Sequence, residues 1–106
     1  MTKLRKESFA PFVNQVFTIC LADDRTISIK LSSITTRDAN DQYESFILNF
    51  DPPEGEPALP DGSYLVENEK FGQAVIFISP TPAGGPDPGK YYYEAVFNVY
   101  IDLEGD

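Results

Sequence analysis

Two proline-dense tracts cut this chain and decide what the rest can become. Residues 51–62 hold four of the nine prolines and residues 80–89 hold another four. Proline lacks the backbone donor that a helix interior or a strand ladder needs, so both tracts read as connectors or loops. In the segments outside these tracts, from Gln15 onward, apolar residues recur at every second position, which is the strand period.

Phe17, Ile19 and Leu21 alternate with Thr18 and Cys20; after Asp23 and Asp24, Ile27, Ile29 and Leu31 alternate with Ser28, Lys30 and Ser32. That is a hairpin pattern, with turn-forming aspartates that tolerate positive φ at its tip. Residues 35–42 are polar and read as a loop. A third strand is expected over 43–50, with Phe46, Leu48 and Phe50 on one face. Leu59-Pro60-Asp61-Gly62 is a turn signal leading into a fourth strand over 63–67. Residues 73–78 are almost continuously apolar, as in a central strand covered on both sides. The last strand spans 90–102, with Tyr91, Tyr93, Ala95, Phe97, Val99 and Ile101 opposite Tyr92, Glu94, Val96, Asn98 and Tyr100. Ahead of the first strand, Ser8 is placed to cap one helical turn that carries Pro11 and sets Phe9, Phe12 and Val13 as an apolar plug over one end of a core.

The expected fold is therefore all-β, a small six-stranded, mainly antiparallel barrel or sandwich with a short N-terminal helical turn. At 106 residues and 42% hydrophobic there is material for one core. Residues 1–7 are expected to be a flexible basic N-terminus and residues 8–106 a single β domain.

Seventeen acidic residues against eight basic ones give a net charge of −9. Three of the cations, Lys3, Arg5 and Lys6, precede residue 7, so the body is more acidic still. Such a surface repels phosphate backbones and anionic lipid, which argues against nucleic acid and membranes as partners. It suits solubility or a basic partner. The single cysteine, Cys20, lies in an apolar strand and reads as a small hydrophobe, buried or semi-buried. The start of the chain has no apolar run of about 7 to 15 residues after its cations, so no signal peptide is expected and a cytoplasmic location is.

Histidine is absent, which removes the commonest general base and metal ligand. Carboxylate pairs are what remain: Asp23 with Asp24, Glu54 with Glu56, Glu67 with Glu69. All lie in or beside expected turns, where solvent leaves them unfit for proton transfer at neutral pH. The acidic tail 102–106 and the loop 51–61 could offer oxygens to calcium, but no loop has the calcium-binding spacing. No enzyme activity, cofactor or metal is expected.

The triple tyrosine Tyr91-Tyr92-Tyr93 puts one ring on the face opposite the other two. Exposed aromatic side chains beside a proline-rich loop make a contact patch. The candidate contacts are Tyr64, Phe71, Pro82, Pro86 and Tyr92, with the loop 80–89. The leading expectation is a protein-interaction or assembly module with a protein partner. The alternatives are a small-ligand or carbohydrate binder using the barrel mouth, and an acidic inhibitor of a basic enzyme.

Four stretches carry a likeness: 9–17 (Phe9-Ala10-Pro11-Phe12-Val13-Asn14-Gln15-Val16-Phe17), Leu59-Pro60-Asp61-Gly62-Ser63-Tyr64, Phe77-Ile78-Ser79-Pro80 and Tyr93-Glu94-Ala95-Val96-Phe97-Asn98. Together they resemble a family of small bacterial domains of unknown function that accompany phage-tail-collar-like proteins. The resemblance implies a structural or assembly role and supplies no catalytic residues.

Overall fold

Alternation of apolar and polar residues makes the strands, and one helical segment closes an end. The computed structural model describes residues 5–39, 43–53, 55, 57–83 and 90–100. A short helix α1 (Lys6–Phe9) runs into a 3-10 turn, Ala10–Phe12, followed by six strands: β1 (Val16–Cys20), β2 (Thr26–Ala39), β3 (Tyr43–Asp51), β4 (Gly62–Asn68), β5 (Gly72–Pro82) and β6 (Tyr91–Tyr100). All ladders are antiparallel and close a barrel in the order β1-β2-β3-β6-β5-β4. The expected all-β class is borne out, and of barrel and sandwich it is the barrel.

Inward positions are those of the period-two reading. Phe17, Ile19, Ile29, Leu31, Phe46, Leu48, Phe50, Val66, Ile76, Ile78, Tyr93 and Ala95 are buried and fill the interior. Asp24 takes the positive φ of 65° expected of the first hairpin tip, where Arg25 Nε donates to both Asp23 oxygens at 3.0 and 2.9 Å. At one barrel end Phe9, fully buried, lies 5.1 Å from the Phe71 ring and 5.4 Å from Phe97. Phe12 meets Phe17 and Phe71 edge-on. Aromatic clustering of this kind adds to area burial, and the apolar plug is where the sequence puts it. Asn14, at φ 76°, turns the chain from the plug into β1 and donates its amide to the Leu31 carbonyl at 2.6 Å.

The crossing from β3 to β4 passes the other end. There the Leu59 amide donates to Tyr93 Oη at 3.0 Å, and Tyr64 Oη donates to the Pro60 carbonyl at 2.6 Å. Both barrel mouths are thus covered, one by phenylalanines and the other by the proline-rich connector.

Four expectations need correction. Ser8 is not the N-cap: the helix begins at Lys6, and Ser8 Oγ accepts from the Arg5 amide at 3.0 Å. Residues 35–39 are strand, not loop, because the polar outer face bonds across the ladder, with Asn49 Nδ2 donating to Ser33 Oγ and Thr35 Oγ1 at 3.1 Å each. Pro80 and Pro82 belong to β5. Their tolerance follows from register: the Ala83 amide donates to the Lys90 carbonyl, which sets the donors facing β6 at odd positions, so the missing N–H of each proline points away from that ladder. Finally, β5 is not covered on both sides, since Val75 and Phe77 are 69% and 56% exposed.

Candidate functional site

Outward side chains of β4 and β5 place apolar surface where water should be. Leu65 stands between Cys20 of β1 and Val75 of β5 in the paired registers, and Phe77 follows Val75 on the same face. Leu65, Val75 and Phe77 are all exposed, as are Val16 on β1 and Val96 on β6. An apolar stripe across adjacent strands is unlike the singly scattered hydrophobic residues normal on a protein surface.

Toward the plug the stripe gives way to an open groove of about 340 Å³, lined by Val16 and Thr18 on one side and by residues 67–69, Gly72 and Gln73 on the other. Gln73 Nε2 donates to Glu67 Oε2 at 2.8 Å. Asn68 organises the turn: its Oδ1 accepts from the Lys70 and Phe71 amides, both at 2.9 Å, and its Nδ2 donates to the Val16 carbonyl at 2.9 Å. Gly72, at φ 97°, adopts a conformation that favours glycine and so lets β5 leave this turn. Cys20, half-buried, has its thiol pKa pushed up by burial and then by the neighbouring Glu67 carboxylate. Such a thiol is a poor nucleophile at neutral pH.

The contacts expected from sequence do not form one patch. Tyr64 lies against the core beneath the connector, and burial followed by Tyr93 raises its hydroxyl pKa. Phe71 is part of the plug at the opposite end. Tyr92 points outward on β6, paired with Thr81, in a cluster where Thr81 Oγ1 and Tyr92 Oη both donate to Glu94. Its hydroxyl pKa is raised by burial, then by Glu94. Pro82 is exposed at the end of β5. Pro86, with residues 84–89, lies outside the described residues, as do Glu54, Glu56, Ile101 and the acidic tail 102–106. Of the carboxylate pairs, Asp23 is held below the ordinary value chiefly by its hydrogen bond from Arg25.

Sequence reading missed Leu65, Val75, Phe77 and Val96 as surface groups. The signal was present in the outward parity of Leu65 and Val96, but the continuous apolar run of β5 hid it.

A family model, Domain of unknown function (DUF6916), matches residues 4–97. The chain belongs to the DUF6916 family. That match takes in α1, the plug, the first five strands and β6 as far as Phe97, and so the whole of the stripe and groove just described. No curated protein and no solved structure matches this DUF6916 chain. Among its described residues no helix is long and apolar enough to cross a membrane, and no group of three or more cysteine, aspartate or glutamate side chains is placed to hold a metal ion.

Proposed function

We propose that this domain is a non-catalytic protein-interaction and assembly module that contacts its partner through the outer face of β4 and β5. The observation that carries this reading is Val75 and Phe77, at 69% and 56% exposure, standing beside Leu65 on a rigid sheet. A buried partner contact converts that exposed apolar area into stabilisation, and aromatic anchors such as Phe77 dominate such contacts. A ligand inside the barrel has less support, because phenylalanine, isoleucine and tyrosine side chains fill the interior and both mouths are covered. An assembly role with phage-tail-like proteins, in a bacterial host, belongs to the same reading.

The test is photo-crosslinking in native cells, with a photoreactive residue in place of Val75 and, as control, in place of Ser28 on the far side of β1–β2. A discrete crosslinked product from the first position and none from the second supports the reading. Equal, diffuse labelling from both sinks it. Open reading frames adjacent to the gene test the assembly role separately, through the presence or absence of tail or collar components.

A further inference from the structure

The β5–β6 ladder joins only Ser79 to Glu94 through Pro82 to Tyr91, whereas β5 is paired with β4 from Gly72 to Ile78. Residues 72–78 are therefore laddered along one edge only. The register already fixed by the prolines puts the main-chain groups of odd-numbered residues on the β6 side, so Gln73, Val75 and Phe77 present their N–H and C=O groups to the open edge. Extending the ladder past Ser79 and Glu94 sets Phe77 across from Val96, and both side chains are exposed, at 56% and 48%. The seam thus combines unused strand-pairing groups with an apolar side chain on each bank, the combination used in strand addition.

Charge chooses the occupant. Residues 72–78 carry no charged side chain, while Glu67, the β4 partner of Gln73, and Glu69 stand at the start of the segment and outnumber the one cation of that turn, Lys70. Among the described residues neither carboxylate has a cationic partner. A second copy brings no cation in its own segment 72–78 and has a net charge of −9.

We infer that the β5–β6 seam accepts an extended segment of a partner protein as an added strand. That segment is apolar where it lies beside Phe77 and Val96 and carries lysine or arginine toward Glu67 and Glu69. This rests on the interaction reading above and names the chemistry of the partner.

The experiment is amide hydrogen exchange by NMR on the full chain with synthetic peptides. The probe is an octapeptide of alternating valine and threonine with an added lysine at each end; controls carry glutamate at the ends, or proline at every second position. The lysine peptide is expected to slow exchange at Gln73, Val75 and Phe77 at least tenfold. The effect weakens with glutamate ends or in about 0.5 M salt, and is lost with the proline peptide, which cannot pair. Phe77→Glu, at an exposed position, keeps the native spectrum and lowers peptide affinity at least tenfold. No slowing at millimolar peptide, or equal binding by the proline peptide, overturns strand addition. So does a dimer of the free chain that Phe77→Glu dissociates. A partner that crosslinks through position 75 while exchange in β5 stays unchanged leaves the contact face standing and removes only the added strand.

Discussion

The Leu59 amide and the Tyr93 hydroxyl are joined at 3.0 Å across 34 residues of sequence, which ties the proline-rich connector to β6 over the barrel end. Tyr93 is 1% exposed, so its ring is core and its hydroxyl is a fastening point for the lid. Tyr93→Phe keeps the ring and removes the acceptor. The expected cost is about 1 kcal/mol in a denaturant titration, with the Leu59 amide exchanging faster while amides of β3 are unchanged.

Phe9 closes the other end, with Phe46, Phe71 and Phe97 around it. Phe9→Ala leaves a cavity at a site with no exposure, so a loss of about 3–5 kcal/mol is expected. For a domain whose total stability is of the order of 5–15 kcal/mol, that is a large fraction. The check is the denaturation midpoint, with Phe12→Ala, at a half-buried position, expected to cost less.

Neighbouring positions on β5 are expected to respond oppositely. Val75→Lys and Phe77→Lys alter exposed side chains and change stability by no more than about 0.5 kcal/mol, while partner crosslinking from a photoreactive residue at position 75 falls when Phe77→Lys is added. Ile76→Lys places a cation at a site that is 2% exposed, and the variant does not fold. Circular dichroism and thermal melts separate the two classes.

Tyr64 holds the connector through the Pro60 carbonyl, and its pKa lies above the ordinary tyrosine value of 10.0. A group with a raised folded pKa contributes stability in full below its unfolded pKa and loses it as pH climbs through the folded one. Wild-type stability therefore falls above pH 10 more steeply than that of Tyr64→Phe, which has no proton to lose there. Melting curves at stepped alkaline pH, compared between the two, are the measurement.

Cys20 is expected to alkylate slowly. Burial and then Glu67 raise its pKa above 9.0, so the thiolate fraction near pH 7.5 is small. Iodoacetamide modification runs slower than for free cysteine, and Glu67→Gln accelerates it by removing the adjacent negative charge.

Much of this fold was legible because period-two alternation reports which side chains share a face. Phe46, Leu48 and Phe50 on β3, and Tyr93 and Ala95 on β6, needed no more than that. The distal half of β2 was not legible, because Ser33 and Thr35 are satisfied by Asn49, a partner sixteen and fourteen residues away, and local sequence shows only polarity. Pro80 and Pro82 escaped for a related reason: whether a missing donor matters depends on which edge it would have faced. The contact face was the hardest to read. An apolar run tells that both sides of a strand are greasy, and only the absence of a covering layer over Val75 and Phe77 shows that one of those sides is open.

The pairing of β1 with β4, Thr18 against Glu67, bears on how the chain emerges from a ribosome. About fifty residues must be synthesised after β1 before its second neighbour exists, and the connector has to swing across the barrel end to deliver it. Until then the only native ladders open to β1, β2 and β3 are with one another, so closure waits on late, sequence-distant contacts and is expected to limit the rate of folding.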